Sequence, residues 1–399
     1  MSRQTIPGQV VTPVELRAVA SDGTKLRYAL MELAAELPDA IALGRGDPDL
    51  NTPPHVIEAA KAAVRDGRAD IPTPVAGLPA LREAVAAKLR ADNGIPVDAA
   101  GVLVTGGGQE GLYLLMQTLL DPGDEILVPD PRYTSYDQAI AQAGARMVLV
   151  PTYAEDNFDI RPEEVEKAIT PATKALLIVS PSNPTAGIVT PENLRAIAQL
   201  AIRHNLIVIS DEIYEKYVYP PATHLSAGSL PGMVERTITL GGVSKTYAMT
   251  GWRIGYAAGP PDFIEALTAV KGATTGAAAA VSQYAALAAI TGPQDVVAEY
   301  FNTYARRRRV MMNGLRKLGF TFSEPRGAFF VYTNAASSGI PAFELSYLLL
   351  KEGHVLIFPG TAFGEKWVDW LRISLLQPED KLREALDRMA TVLSRHANG

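Results

Sequence analysis

The 399-residue chain contains no cysteine. Disulfides, zinc thiolates and thiol nucleophiles are therefore excluded together, and the absence agrees with a reducing, cytoplasmic setting. Its histidines (His55, His204, His224, His354 and His396) are scattered without HxxxH or HxH spacing, which argues against a metal site. No apolar run reaches the roughly 18 to 20 residues that a helix needs to span a bilayer, so no membrane segment is expected. The opening residues, Met1-Ser-Arg-Gln-Thr-Ile-Pro-Gly8, hold no apolar stretch of the secretory-leader kind. Excess positive charge is missing too. The formal net charge is −6, which gives no electrostatic reason to expect a nucleic-acid partner. The one basic run, Arg306 to Arg309, covers more than a helical turn, so its side chains point around the axis and suit a solvated or salt-bridged helix.

What remains is an ordinary globular composition, 47% hydrophobic and 20% charged, on a chain long enough for two cores. From about 100 to 260, short β-branched runs alternate with helical patterns. Val102–Thr105, Glu125–Val128, Met147–Val150, Ala175–Val179, Leu206–Ser210 and Thr237–Leu240 read as buried strands. Segments 108–120, 134–143, 162–169 and 191–204 read as the intervening helices. This alternation predicts an α/β domain with a largely parallel sheet, whose ligands sit beyond the carboxyl ends of the strands. Asn183, Asp211 and Lys245 all fall just after such runs. From about 295 the pattern changes to a long helix (294–318), short strands at 329–332, 355–357 and 371–374, and helices over 342–352 and 378–395. That predicts a smaller α+β domain. The expected division is an N-terminal segment 1–50 packing with the small domain, a large domain 51–293 and a small domain 294–399.

Four segments carry candidate chemistry. In Gly241-Gly-Val-Ser-Lys245-Thr-Tyr-Ala-Met-Thr-Gly-Trp-Arg253, a lysine sits in a Gly/Ser turn after a strand, with an arginine eight residues on. Lysine can form a Schiff base with an aldehyde cofactor, and the planar fork of arginine suits a phosphate. A surface lysine and a helix arginine fit the same spacing. A P-loop does not, because position 244 is Ser where that motif needs Gly. In Asp211-Glu-Ile-Tyr214, an aspartate at a strand's carboxyl end can pair a protonated ring nitrogen, with Tyr214 in reach of a ring oxygen; a metal or capping role fits equally. Asn183, in Ser182-Asn-Pro-Thr-Ala-Gly187, can donate to a cofactor hydroxyl or simply build a turn. In Thr105-Gly-Gly-Gly-Gln-Glu110, a glycine-rich turn opens a helix, where backbone N–H groups make an anion site.

Taken together in order and spacing, the chain resembles the fold-type I, class I/II aminotransferases, of the aspartate aminotransferase-like kind, over nearly its whole length. The motifs are Gly46-Asp-Pro-Asp-Leu-Asn-Thr-Pro53, Ala76-Gly-Leu-Pro-Ala-Leu-Arg82, Asp130-Pro-Arg-Tyr133, Asn183-Pro-Thr, Asp211-Glu-Ile-Tyr214, Ser244-Lys245-Thr with Gly251-Trp-Arg253-Ile-Gly, Gly327-Ala-Phe-Phe330 and Leu371-Arg372-Ile-Ser374. The resemblance implies a large domain that binds pyridoxal 5'-phosphate on a mostly parallel seven-stranded sheet between helices. It also implies a homodimer with shared active sites, to which Thr274-Thr275 would contribute. By the same resemblance Lys245 holds the cofactor as a Schiff base and acts as proton shuttle, and Asp211 pairs the pyridinium. Tyr214 and Asn183 bond the 3'-oxygen, and Tyr133 stacks on the ring. Gly108, Gln109, Glu110 and Arg253 hold the phosphate, Arg372 clamps the substrate α-carboxylate, and Gly46 leaves room beside it.

Four positions depart from the family pattern. Pro72 stands where a tyrosine usually reaches the partner's phosphate. Gly242 replaces a common serine, and Gln109 replaces the lysine that binds a distal carboxylate in an aspartate-using branch. Ala186 stands where a glycine usually follows Asn-Pro-Thr. The expected reaction moves an amino group between an α-amino acid and a 2-oxo acid. The alternatives are another reaction on the same cofactor (elimination or replacement, retro-aldol, cyclisation or oxidation) and a binding protein that no longer catalyses.

Overall fold

A computed structural model of the chain describes residues 22–396. It divides into two compact units. The larger takes Asp47–Ala305 with Glu324–Ala328. The smaller takes the described residues up to Gly46, then Arg306–Ser323 and the described residues from Phe329 onward. The sequence reading puts the divisions after 50 and after 293. The second one instead falls within the continuous helix Asp295–Lys317. A helix repeats the same backbone bonds along its length, so its pattern does not mark a division. The first 21 residues of the expected N-terminal segment lie outside the described residues.

Among the described residues, thirteen strands run in chain order. Outside the large sheet, β1 is Ile41–Ala42. The large unit holds β2 (Val102–Thr105), β3 (Glu125–Asp130), β4 (Arg146–Pro151), β5 (Thr173–Val179), β6 (Ile207–Asp211), β7 (Thr237–Gly242) and β8 (Gly255–Ala258). The rest are β9 (Thr321–Phe322), β10 (Phe330–Asn334), β11 (Val355–Leu356), β12 (Phe358–Pro359) and β13 (Trp370–Ser374). The large unit is built on one seven-stranded sheet in the order β2-β8-β7-β6-β5-β3-β4. Every pairing is parallel except those of β8, which runs against both β2 and β7. All six strands read from the sequence are present. The seventh, β8, is absent from that reading because Gly-Tyr-Ala-Ala lacks the β-branched run that marks the others.

Except along the edge strand β4, where Arg146 and Leu149 are exposed, the sheet is covered on both faces, which is why the other strands read as apolar runs. Along β5, Ala175, Leu177 and Val179 join one apolar cluster while Leu176 and Ile178 join another. The first cluster packs under helix Gly108–Leu119 through Leu112, Leu115 and Met116. The second packs under helix Pro191–Arg203 through Leu194, Ile197 and Ala201. That helix is well specified locally. Thr190 accepts from the Asn193 N–H at 3.3 Å, Pro191 opens it, Glu192 sits in its first turn and Arg203 in its last. Each fully buried leucine contributes about 1.5–3 kcal/mol through loss of apolar contact with water. This double layer makes the strand ends a rigid base for the site.

The smaller unit carries the four-stranded antiparallel sheet β12-β13-β10-β9 and the parallel pair β1-β11. Helices Ala342–Gly353 and Glu379–His396 flank them, close to the expected spans. The basic run is not uniformly solvated. Arg306 meets Glu379 at 3.4 Å, whereas Arg307 is buried and donates to the Leu375 carbonyl at 3.3 Å.

Candidate active site

The carboxyl ends of the parallel strands bring most of the sequence-predicted residues together in the large unit. Asp211 is the last residue of β6. Its Oδ1 accepts from the Ile213 N–H at 3.2 Å, and its Oδ2 accepts from the Tyr136 hydroxyl at 2.7 Å. Burial pushes the Asp211 carboxyl above its ordinary value. Tyr136, the Ile213 N–H and the Lys245 charge offset this only in part, and the Glu212 carboxylate adds to it. The carboxyl is therefore short of positive charge, and a cation placed against it would be favoured. Tyr136 lies 75 residues from Asp211 in the chain and is absent from the sequence reading. It was legible only as the second aromatic of Tyr133-Thr-Ser-Tyr136. Tyr133 meets its ring edge-on, with centroids 5.7 Å apart.

Lys245 follows β7 in a tight turn closed by Tyr247 N–H to Val243 C=O and Met249 N–H to Ser244 C=O, both 3.0 Å. The Tyr217 hydroxyl holds the Lys245 carbonyl at 3.0 Å. The Lys245 ammonium reaches Asp47 Oδ1 at 4.0 Å, and its side chain is only 17% exposed. Tyr214 and Asn183 are buried. Gly242 is crowded: a Cβ there would lie 3.2 Å from Gly255 Cα and 3.3 Å from the Ile254 carbonyl. That crowding is a steric reason for glycine where serine is common. Ala186 adopts φ +59°, a left-handed conformation that a glycine adopts more readily. The next residue, Gly187, takes the space instead, since a Cβ there would meet the Asn157 carbonyl at 2.5 Å.

The glycine-rich turn has the geometry of a candidate anion cradle. Gly107, at φ +90°, precedes the helix Gly108–Leu119, and no side chain caps the helix start. The first helical bond is Gly111 N–H to Gly107 C=O at 3.4 Å, so the N–H groups of Gly108, Gln109 and Glu110 precede the helical ladder. Arg253, exposed and at φ +55°, lays its guanidinium against this turn. A Cβ on Gly107 would come within 2.8 Å of Arg253 Nη2. A Cβ on Gly255 would come within 2.8 Å of both Gly107 C and Gly108 N. The cradle therefore exists because these two positions lack side chains. The side chain of Glu110 is turned to other partners. It accepts from the Gly106 N–H at 2.5 Å, from Lys271 Nζ at 2.7 Å and from the Thr275 hydroxyl. Lys271, 1% exposed, is also absent from the sequence reading.

Arg372 and Gly46 belong to the smaller unit. Arg372, on β13, is 3% exposed and donates to the Gly44 carbonyl. Three rings surround its guanidinium: Phe330 at 4.5 Å, Phe363 at 4.6 Å and Phe358 at 5.3 Å. Gly46 faces the Phe330 ring, which a Cβ would meet at 3.6 Å.

Beside Asp211, Glu212 turns the other way into a buried polar network. It accepts from Ser210 at 2.7 Å and Ser226 at 2.6 Å, and it meets His224 Nε2 at 3.1 Å. Glu212, Glu215 and His224 are the one group among the described residues close enough to share a metal ion. Glu215 is already engaged by Lys88 and by Asn93 at 2.5 Å.

This geometry combines a lysine in a strand-end turn, a half-buried carboxyl short of positive charge and a candidate anion cradle. The chain belongs to the family aminotransferase class I and II, whose sequence model matches residues 38–389. It is a transaminase, moving an amino group between an α-amino acid and a 2-oxo acid, in a family that works with pyridoxal phosphate. The chain is 39% identical to an aspartate aminotransferase of Geobacillus stearothermophilus, over 96% of this chain and 99% of that one. It is 38% identical to aromatic-amino-acid aminotransferase 2 of Thermococcus litoralis, over 96% and 97%. The solved structure of Thermus thermophilus aspartate aminotransferase with maleate superposes with a TM-score of 0.87 at 38% identity, covering 98% of this chain and 100% of that one. No described helix is long and apolar enough to cross a membrane.

Proposed function

We propose that this chain holds pyridoxal 5'-phosphate on Lys245 and transaminates α-amino acids as a cytoplasmic homodimer with shared active sites. The observation that carries the reading is the Asp211 carboxyl, raised by burial and short of a cation, beside the Lys245 turn and the anion cradle at Gly107. When bound, the cofactor supplies an aldehyde that condenses with amines and a ring that withdraws electrons from the attached carbon.

The protein's own residues do the rest. Lys245 Nζ would hold the cofactor and, once released by substrate, would serve as the base that moves the substrate Cα proton. Asp211 would pair the ring nitrogen and favour its protonated form, and the Tyr136 hydroxyl, bonded to Asp211 Oδ2, supports the ionised carboxylate. Tyr214 and Asn183 orient the ring through its 3'-oxygen, and Tyr133 covers its face. The N–H groups of Gly108, Gln109 and Glu110 take the phosphate together with Arg253. Arg372, pre-oriented by its three rings, grips the substrate α-carboxylate, a two-pronged contact that lysine makes poorly. Gly46 leaves room beside it.

Relatives named for aspartate and for aromatic amino acids support a donor of one of these kinds. Gln109 offers no charge to a distal carboxylate, which favours an uncharged donor side chain over aspartate. The test is a panel of amino acids mixed with the purified protein while the visible band of the bound cofactor is followed. Loss of the band with a donor and its return with a 2-oxo acid is expected. A product formed without that reversibility would sink the reading. Lys245→Ala should leave no borohydride-trappable link to the cofactor.

A further inference from the structure

The geometry points to Lys271 as a positioning residue that keeps the anion cradle open to a phosphate by neutralising and holding back the carboxylate of Glu110. This rests on the reading above that the turn at Gly107 takes the cofactor's phosphate. Glu110 is the third residue of helix Gly108–Leu119, at the end where backbone N–H groups and the helix dipole attract negative charge. A carboxylate there competes for the same N–H groups and repels a second anion. In this structure its oxygens turn to other partners. Oε2 is drawn to the Gly106 N–H at 2.5 Å and to Lys271 Nζ at 2.7 Å, while the Thr275 hydroxyl takes Oε1.

The device is built from a second element. Lys271 lies in the last turn of helix Pro261–Thr274, 161 residues from Glu110 in the chain. Its ammonium also donates to Thr275 Oγ1 at 3.2 Å, and its carbonyl accepts from the Thr275 and Gly276 N–H groups at 3.0 and 2.9 Å. With the lysine 1% exposed, little water competes for its charge. Burial alone raises the Glu110 carboxyl, but Lys271, Thr275 and the Gly106 N–H outweigh it and hold it below its ordinary value. Glu110 is therefore a full negative charge, and Lys271 is the cation that balances it. Arg253, whose guanidinium lies against Gly107 and whose Nη1 donates to the Thr250 carbonyl at 3.0 Å, is then the cation left to meet the phosphate. A pair kept only for packing would serve the fold equally well as two apolar residues. The charge account instead predicts that the defect left by removing the lysine disappears when the carboxylate is removed as well.

The experiment compares wild type, Lys271→Met, Glu110→Gln and the double variant. Two quantities are read: the dissociation constant of pyridoxal 5'-phosphate from the holoenzyme, and the affinity of inorganic phosphate for the apoenzyme, followed by 31P NMR. Lys271→Met should weaken both at least tenfold, and the double variant should return both to within about threefold of wild type. Glu110→Gln alone should bind phosphate as tightly as wild type or more tightly; this arm stands even if Lys271→Met does not fold. Unchanged affinities in Lys271→Met, a defect that the second substitution does not repair, or weakened phosphate binding in Glu110→Gln would each overturn the proposal. Arg253→Gln separates this from the underlying reading. If Arg253→Gln binds phosphate like wild type, the site assignment itself fails. If Arg253→Gln weakens binding and Lys271→Met does not, only the role of Lys271 falls.

Discussion

Tyr136→Phe isolates one hydrogen bond on which the proposed chemistry depends. The ring is 2% exposed and meets Tyr133 edge-on, and phenylalanine preserves both the burial and that contact. Only the hydroxyl is lost, and with it the 2.7 Å bond to Asp211 Oδ2. A hydrogen bond to a charged partner contributes about 1.5–3 kcal/mol net. At about 1.4 kcal/mol per factor of ten, that is roughly a 10- to 150-fold effect if the ionised carboxylate is needed in the transition state. Burial already lifts the Asp211 carboxyl, and Tyr136 provides the largest opposing contribution, ahead of the Ile213 N–H and Lys245. Removing it moves the carboxyl further up. The assay is single-turnover kinetics with a good donor across pH. We expect kcat to fall within that range, KM to stay within about twofold, and the acid limb of the kcat profile to move to higher pH. Denaturant unfolding of the same variant measures any loss of stability separately. If kcat and the acid limb match wild type while Asp211→Asn is inactive, Tyr136 does not sustain the charge of Asp211 and the argument is wrong.

Other consequences follow from the same geometry. Gly255→Ala places a Cβ 2.8 Å from two backbone atoms that cannot swing aside, so the Gly107 turn must move. We expect cofactor affinity to drop at least tenfold, with about 1–3 kcal/mol lost from stability by overpacking; an alanine enzyme that retains cofactor like wild type would contradict the cradle. Arg372→Ala should raise KM for every α-carboxylate donor and lower kcat/KM by roughly 2–5 kcal/mol, as when one member of a buried charged pair is truncated. Equal kcat/KM in the two enzymes would remove the clamp. His224 gives a pH signature. Burial lowers the imidazole, but the Glu212 carboxylate, helped by Glu215 and opposed by Lys88, outweighs it and holds the group above 6.5. A raised histidine stabilises the fold fully below pH 6.5 and loses that contribution as pH climbs through the folded value. The urea midpoint of wild type should therefore fall more steeply above pH 6.5 than that of His224→Gln; parallel curves would mean that the pair does not couple to folding.

Much of this protein is written locally. Most apolar runs of the large sheet are continuous in sequence because both faces of those strands are covered; the edge strand β4, with Leu149 38% exposed, is the exception. Asp211, Asn183 and Lys245 are visible for the related reason that strand ends are where such a sheet presents polar groups. What the chain does not display are pairings between distant elements. β8 is four small or aromatic residues whose strand character comes from its neighbours β2 and β7. Tyr136 looks like any helix tyrosine until β6 brings Asp211 to its hydroxyl, and Lys271 looks like a surface lysine until its helix lays it against Glu110. Fold class and family are readable from the chain alone, with Lys245 marked as the candidate Schiff-base lysine, because periodicity and motif order are properties of neighbouring residues. Only the tertiary structure decided which groups set the charge of Asp211 and Glu110, because electrostatic strength depends on distance and burial, and both arise when segments far apart in the chain pack together.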